Sequence, residues 1–213
     1  MAWTDPNTYI AGVILTAAQM NAMQANLLAG GPIYATEAAR TAAIPSPFEG
    51  QRAYITGSTV AAATGAITNV PTGIQTIYNG AAWVCVTPVA AGSNTNQNAT
   101  STSYVTTLSD TAISVTIATG TTALLSFESQ PFNTNLAAST NLAFSVSGAT
   151  TIAAADATSS TNSAPGVNYG FVLSRNFVLQ GLTAGTNTFT LNYRVSAGTA
   201  TFRARALTVT GIA

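Results

Sequence analysis

The C-terminal part of the chain constrains the fold most strongly, because three runs of alternating apolar and polar residues follow one another there, separated by glycine turns. In the run 188–195 every second residue is apolar, namely Phe189, Leu191, Tyr193 and Val195. A period of two places successive side chains on opposite faces of a β-strand. The runs 169–179 and 200–209 alternate in the same way. The three runs therefore predict strands that each bury one face, and together they could close a β-sandwich.

The turn Ser196-Ala197-Gly198 joins two of these runs and predicts an antiparallel hairpin. In the register that matches the apolar faces, Tyr193 lies opposite Phe202, followed by the pairs Leu191 with Ala204 and Phe189 with Ala206. A shift of one residue would place Phe202 against a polar side chain, so the pattern itself selects this register.

The same register places three of the six arginines on one outward face: Arg194, Arg203 and Arg205. Guanidinium groups form bidentate hydrogen bonds with carboxylates, so this face could bind acidic sugars or the carboxylates of a neighbouring subunit. The alternative is that these arginines are simply solvated on the polar side of a strand. Arg175 lies in phase with the apolar residues of its own run. Either a bulge or a rim position turns it outward, or it meets Asp110 or Glu128.

Further alternating runs from Tyr104 onward, among them those around Val115, Leu125 and Phe144, bring the total to seven or eight strands. This predicts a mainly β protein whose domain 104–213 is an antiparallel, jelly-roll-like β-sandwich. The segment 149–168 shows no periodicity, and a loop of that length is usually functional or mobile.

Charged residues make up only 6% of the chain, against roughly 25% in an ordinary soluble domain. The net charge is zero and lysine is absent, so the electrostatic term that drives nucleic-acid binding is almost missing. No apolar run approaches the roughly 20 residues that span a membrane, and the first residues lack the features of a signal peptide. We therefore expect neither a nucleic-acid nor a membrane partner. A chain with so little charge repulsion suits a fixed, multi-subunit surface.

Residues 1–32 form a first unit, in which an arm interrupted by Pro6 precedes a short helix. The helix is predicted to start at a capping box, Thr16-Ala17-Ala18-Gln19. The residues that we expect to dock this unit are Trp3, Tyr9, Met20, Met23 and Leu27. Its apolar stripe could pack on trimer mates or on a docking partner, or it could pack on the chain's own sheet.

Residues 33–88 form a second unit, a small module rich in turns and short strands. Asn79-Gly80 predicts a two-residue hairpin turn within it. The segment 89–103 consists almost entirely of small and polar residues that offer little to bury, and it predicts a flexible linker.

Three segments carry a resemblance to proteins of tailed-bacteriophage virions. The N-terminal run from Ala2-Trp3-Thr4-Asp5-Pro6 to Leu15-Thr16-Ala17-Ala18 resembles the amino terminus of many of these proteins. The pieces 48–54 and 77–83, with Tyr78-Asn79-Gly80 before Trp83, resemble small β-modules of phage fibres, and 178–207 resembles C-terminal β-sandwich domains of virion proteins. The departure at Met23-Gln24-Ala25-Asn26, where such proteins often carry a basic Leu-Arg-Asp-Asn, leaves the docking partner open.

The residues needed for catalysis are sparse. Without histidine or lysine, general-base chemistry would rest on a few carboxylates that no spacing pairs, so we expect no enzyme, no metal site and no cofactor. Cys85 lies between two valines and is predicted to be a buried, unreactive side chain.

The resemblance implies a structural protein of the virion exterior, made in the host cytoplasm, with its sandwich displayed outward. It also implies a homotrimer, either a short fibre or spike or a head decoration protein, in contact with other virion proteins of head, neck or tail. The alternative is a module that binds a host surface glycan. Sugar sites usually expose aromatic rings, and only Trp3 and Tyr34 are predicted to be free for this.

Overall fold

The computed structural model describes residues 17, 20, 21, 31–135, 137–163 and 170–213. Within them, short elements come first, followed by long strands. The elements are β1 Ile33–Tyr34, α1 Glu37–Ala43, β2 Arg52–Ile55, β3 Ala62–Thr64, β4 Ile67–Asn69, β5 Ile74–Tyr78, β6 Trp83–Cys85, β7 Val89–Ser93, β8 Gln97–Ala99, β9 Ser114–Thr119, β10 Thr122–Asn133, β11 Ser139–Gly148, a 3-10 turn Asp156–Thr158, β12 Ser160–Ser163, β13 Leu173–Gln180, β14 Gly185–Val195 and β15 Ala200–Ile212.

The long strands form two antiparallel sheets that pack face to face. The six-stranded sheet has the order β13-β10-β15-β7-β4, with β8 pairing to β15 in addition. The five-stranded sheet has the order β12-β11-β14-β9-β3. The predicted mainly β fold with an antiparallel sandwich is therefore confirmed.

Aromatic rings from both sheets fill the space between them. Phe127 of the six-stranded sheet meets Phe144 of the five-stranded sheet with ring centroids 5.8 Å apart, and Phe177 meets the same Phe144 at 5.6 Å. All three belong to the alternating runs seen in the sequence, and Phe127 and Phe144 are fully buried. Edge-to-face pairs of this kind stabilise a core beyond the area that they bury.

A small sheet of four strands, β1-β2-β5-β6, carries the helix α1. The Thr36 side chain caps the helix by accepting from the backbone N–H of Ala39 at 3.2 Å. This helix was not predicted, although its sequence carries local signals: the Thr36 cap, Glu37 in the first turn and four alanines among its seven residues. Asn79-Gly80 does turn between β5 and β6, but the loop has four residues because Tyr78 pairs with Trp83. The Asn79 side chain closes the loop by accepting from the N–H groups of Ala81 and Ala82.

The linker predicted over 89–103 is wrong. Strand β7 pairs with β15 and β4, β8 pairs with β15, and Val89, Ala91 and Ala99 are buried. Small residues are needed here because the strands approach closely. A Cβ atom added to Gly92 would lie only 2.8 Å from the backbone oxygen of Arg205. Strands β3 and β4 of the predicted module also belong to the two large sheets, so the chain crosses between the units several times.

The predicted hairpin between 188–195 and 200–209 is also wrong. Strand β14 pairs with β11 and β9 in the five-stranded sheet, whereas β15 pairs with β10 and β7 in the six-stranded sheet. The turn at 196–199 therefore passes from one sheet to the other. Alternation fixes which face of a strand is buried, but it does not fix the neighbour of that strand.

Candidate functional site

Most of the predicted docking residues cannot be placed. Trp3, Tyr9, Met23 and Leu27 lie outside the described residues. Met20 is described as helical, and 53% of its surface is exposed. The docking role of this segment therefore stays a prediction.

The three arginines predicted to share one outward face lie in three different places. Arg194 lies on the outer side of the five-stranded sheet, paired with Asn141 of the neighbouring strand. Arg203 is exposed on the outer side of the six-stranded sheet. The prediction is wrong for Arg205, whose side chain is only 1% exposed.

A β-bulge in β15 turns Arg205 inward. The register between β10 and β15 shifts between Glu128 and Gln130, so one extra residue of β15 has to be accommodated. Ala204 takes a positive φ of 47° at this point, and the Ser129 hydroxyl donates to the backbone oxygen of Arg203 at 2.9 Å. After the bulge the alternation resumes one residue out of phase, which buries Arg205, Leu207 and Val209.

The buried Arg205 is neutralised by Asp110. Its Nη1 and Nη2 donate to the two carboxylate oxygens, the former at 3.1 Å, and Nη2 also donates to Ser93 Oγ and to the Thr95 backbone oxygen at 3.1 Å each. Asp110 is itself partly exposed, with 21% of its side chain accessible. The network ties the segment between β8 and β9 to the six-stranded sheet.

Tyr193 lies next to this ion pair in the core. The Arg205 guanidinium carbon lies 5.7 Å from the Tyr193 ring centroid. The Tyr193 hydroxyl has no hydrogen-bond partner among the described residues. Burial raises the pKa of Tyr193 to about 12.

A second group of polar side chains lies at the surface, and we call it the Tyr104 cluster: Tyr104, Asp156 and Arg194. The Tyr104 hydroxyl donates to Asp156 Oδ1 at 2.8 Å, and Arg194 Nη2 lies 2.9 Å from Oδ1 and 3.0 Å from Oδ2. The Arg194 guanidinium carbon also lies 5.0 Å from the centroid of the Tyr104 ring. The hydroxyl of Tyr104, followed by Arg194, lowers the pKa of Asp156, which keeps this exposed carboxylate charged.

No local sequence signal predicts this cluster, because its members are far apart in the chain. Tyr104 sits beside Arg194 because Val105 bridges to Tyr193 at the end of β14. Asp156 comes from the segment 149–168, which we expected to be a functional or mobile loop. Its described part, 149–163, instead contains a bridge from Ile152 to Val146, the 3-10 turn and the edge strand β12.

Arg175 holds the same 3-10 turn from the other side. Its Nη1 donates to the backbone oxygens of Ala157 at 3.0 Å and Ser159 at 2.8 Å, and the guanidinium carbon lies 4.8 Å from the Phe177 ring centroid. The bulge suggested for this position is absent, since β13 pairs with β10 without a break. Backbone carbonyl groups, rather than an acid, stabilise this arginine.

Of the two aromatic residues predicted to be free for sugar binding, Trp3 lies outside the described residues and the prediction for Tyr34 is wrong. Tyr34 is buried, and its hydroxyl has no partner among the described residues. Trp83 is covered by Arg40, whose guanidinium carbon lies 4.4 Å from the Trp83 ring centroid. Arg40 Nη1 donates to Thr76 Oγ1 at 3.3 Å, and burial lowers the pKa of Arg40. Tyr104, which was not predicted to bind a sugar, is an aromatic ring that lies beside exposed polar groups.

The outer side of the six-stranded sheet is a third feature, which we call the open face. Paired positions place its side chains in rows across the strands, and most of them are Ala, Gly, Ser, Thr and Asn. Its charged residues are Glu128 and Arg203. Its exposed large apolar side chains are Ile67, Leu124, Val178 and Ile212, with Val172 just before β13.

The described residues do not assemble a catalytic or metal site. No group of three or more Asp, Glu or Cys side chains among them is arranged to hold a metal ion. Cys85 is fully buried, as predicted, and burial raises the pKa of its thiol. In the part of the chain that the structure describes, none of the helices has the length and hydropathy needed to cross a membrane.

No protein-family model matches this sequence, and no curated protein matches it either. Among solved structures, the Eiger TNF of S. frugiperda aligns with 59% of this chain and 92% of its own, at 9% identity and a TM-score of 0.43. Infectious bursal disease virus, Gt strain, aligns with 68% of this chain and 43% of its own, at 11% identity and the same TM-score of 0.43. The carbohydrate-binding module CBM6cm-2 of Cellvibrio mixtus lichenase 5A aligns with 60% of this chain and 98% of its own, at 15% identity and a TM-score of 0.27. The function proposed below rests on the residues of this chain and not on these likenesses.

Proposed function

We propose that this chain is a structural component of a tailed-phage virion, anchored by its N-terminal segment and displaying the β-sandwich outward. The observation that carries the proposal is how little free charge the folded chain leaves at its surface. Arg40 and Arg205 are buried, Arg194 pairs with Asp156, and Arg175 is bound by backbone carbonyl groups. Four of the six arginines are thus engaged within the chain.

The acidic side chains follow the same trend. Asp110 and Asp156 are paired, and Glu37 accepts hydrogen bonds from Ser58 and Thr59. A surface that lacks repulsion between copies favours close and permanent association over free diffusion. A fixed place in a particle is the setting in which such a surface is an advantage.

The resemblance of the N-terminal run and of 178–207 to virion proteins supports the choice of particle. We propose a homotrimer on the particle exterior, in contact with other virion proteins of the head, neck or tail. The chain would be made in the host cytoplasm before assembly.

The proposal is tested on purified phage particles whose genome encodes this chain. Mass spectrometry of the particles should detect the chain in a fixed copy number, and cryo-EM should show density that fits the two-sheet sandwich at a repeated exterior position. Absence of the chain from purified particles, with accumulation in the lysate as a free subunit, would overturn the proposal.

A second candidate function is recognition of a host surface glycan, and the Tyr104 cluster is the observation that favours it. An aromatic ring beside an exposed carboxylate and a guanidinium offers both stacking and hydrogen bonding to a sugar ring. A glycan array probed with the full chain tests this function. Tyr104→Ala and Asp156→Ala should each abolish a genuine signal, while Tyr78→Ala, an aromatic change in the small sheet, should leave it unchanged. An array without signal, or a signal that survives both cluster variants, excludes this candidate.

A further inference from the structure

The open face collects most of the exposed apolar side chains. Five of the nine large apolar residues that are exposed in the described part of the chain belong to it: Ile67, Leu124, Val172, Val178 and Ile212. Val178 and Leu124 are directly paired across β13 and β10, so they form one continuous apolar strip. Single exposed apolar side chains are ordinary, but a concentration of them on one face of a sheet marks an interaction surface.

The outer side of the five-stranded sheet is different, because the chain covers part of it. Ala143 and Asn192 are paired on that outer side, yet they are 0% and 4% exposed. The Tyr104 cluster and the 3-10 turn lie at this end of the sheet. Among the described residues, the open face is therefore the side of the sandwich whose apolar residues stay exposed.

Two opposite charges identify the kind of partner that fits the open face. Glu128 and Arg203 are both exposed there, on neighbouring strands and in successive outward rows of the sheet. Neither makes a salt bridge within the described part of the chain. A second copy turned about a two-fold axis would place Arg203 opposite Glu128 of the first copy, and the reverse pair forms at the same time. The open face is therefore complementary in charge to the same face of a second copy. Most of its other residues are small and neutral.

We propose that the open face is the contact between two copies of this chain, with Glu128 of one copy paired to Arg203 of the other and the apolar strips of Leu124 and Val178 meeting beside them. The inference deepens the proposed structural function, since it names the surface through which copies would associate. It is a two-fold contact that joins copies in pairs, and it is separate from the three-fold association proposed for the N-terminal segment, which would join copies elsewhere.

Edge strand β13 fits this arrangement. Its register with β10 is continuous over eight pairs, it contains no proline, and its single charged residue, Arg175, points to the inner side. A bulge and an outward charge are absent from this strand, whereas the inward-pointing Arg175 and the hydrogen bond from Ser160 to the Ser174 backbone oxygen protect its edge against a further strand. The border of the open face therefore carries no outward charge, and contact between copies is expected on the face and not at this edge.

Charge reversal in the full chain tests the proposal. Glu128→Arg places two arginines opposite each other and should weaken association about ten-fold or more, and Arg203→Glu should do the same by placing two carboxylates together. The double variant Glu128→Arg, Arg203→Glu restores the complementary pair and should restore association. Glu49→Arg, an identical charge change at an exposed position outside the face, is the matched control and should associate like the natural chain.

Sedimentation velocity over a range of micromolar concentrations measures the outcome, and far-UV circular dichroism verifies that each variant is folded. The mass in solution should halve in each single reversal variant and return in the double variant. Val178→Asn, which removes part of the apolar strip without a charge, should also shift the equilibrium toward the smaller species. Single reversals that keep the natural mass, or a double variant that stays dissociated, would overturn the inference.

These results separate the inference from the proposed function. If the chain is found in virions but neither charge reversal changes its association, the structural function stands and the open face is not the contact surface. If the mass in solution is unchanged by both charge reversals but changes with substitutions in residues 1–32, the copies associate through the N-terminal segment instead.

Discussion

The rings of Tyr193 and Phe202 meet edge to face with their centroids 5.0 Å apart, and the two residues belong to opposite sheets of the sandwich. The alternation in the sequence predicts this contact, but as a cross-strand pair within a hairpin. The turn between β14 and β15 crosses from one sheet to the other, so the two rings meet through the core. The same pair of residues thus helps to fasten the sheets to each other.

The buried ion pair between Arg205 and Asp110 should be important for stability. In Asp110→Asn the buried guanidinium loses its counter-charge, and the free energy of unfolding should fall by about 3 kcal/mol, because an uncompensated buried charge is costly. Urea denaturation followed by near-UV circular dichroism measures the change.

Two further variants make this prediction specific. Glu49→Gln removes an exposed carboxylate outside the open face and should change the stability by less than about 0.5 kcal/mol. The double variant Asp110→Asn, Arg205→Met removes the buried charge as well and should recover part of the loss. A stability of Asp110→Asn equal to that of Glu49→Gln would show that the pair contributes little.

Tyr193 should make the folded state sensitive to alkaline pH. Burial raises its pKa from 10.0 to about 12, so the folded chain keeps a proton that the unfolded chain releases in this interval. This contribution of Tyr193 to the free energy of unfolding is fully present below pH 10 and is lost as the pH rises to about 12. The loss amounts to about 3 kcal/mol, because the pKa differs by about two units between the two states.

Tyr193→Phe should remove this part of the alkaline dependence while changing stability at pH 7 by less than about 1 kcal/mol, since the hydroxyl has no partner to lose among the described residues. Urea midpoints measured at several pH values for both chains give the comparison. Burial also raises the pKa of Tyr34 and Tyr104, so the difference between the two chains is the informative quantity. If the urea midpoints of the two chains change with pH in parallel, the prediction is contradicted.

The bulge at Ala204 should not tolerate a β-branched residue. Its positive φ of 47° is strained for any side chain, and Ala204→Val should cost about 1–3 kcal/mol of stability. Ala204→Gly should stay within about 1 kcal/mol of the natural chain or exceed it, because glycine adopts this conformation without strain. Ala206→Val, in the regular part of the same strand, is the control and should have little effect on unfolding. Equal losses for both valine variants would mean that the bulge is not the cause.

The thiol of Cys85 should be unreactive in the native chain. It is fully buried, and burial raises its pKa, so both access and thiolate formation are suppressed. A chromogenic thiol reagent at pH 8 should label almost none of the native protein and one thiol per chain in denaturant. Rapid labelling of the native chain would place Cys85 at the surface and contradict the fold around β6.

Local patterns predicted the strands of the sandwich well, because the alternation of apolar and polar residues within each strand shows which face is buried. The runs around Val115, Leu125 and Phe144 illustrate this, since each apolar residue predicted to face inward is buried there. The same reasoning failed at Val89 and Ala99, where small residues were interpreted as a linker. Their burial depends on how closely β15 approaches, and a composition rich in alanine and glycine is equally typical of a flexible segment.

The candidate site was less predictable than the fold. Tyr104, Asp156 and Arg194 come from three separate segments, and no local signal connects them. Arg205 was assigned to the wrong face because one extra residue in β15 reverses the alternation, and the need for a bulge arises only when β15 is laid against β10.

The sequence by itself determined that this chain is mainly β, that its C-terminal strands bury one face each, that its cysteine is a core residue and that its surface has almost no charge. These properties follow from the chemistry of each residue and its near neighbours, so they can be recognised without a structure. Only the tertiary structure decided which strands are neighbours, that β14 and β15 belong to different sheets, and that Arg205 points inward to Asp110. Those features depend on contacts between segments that are distant in the chain, where strands of similar alternation are interchangeable until they pack together.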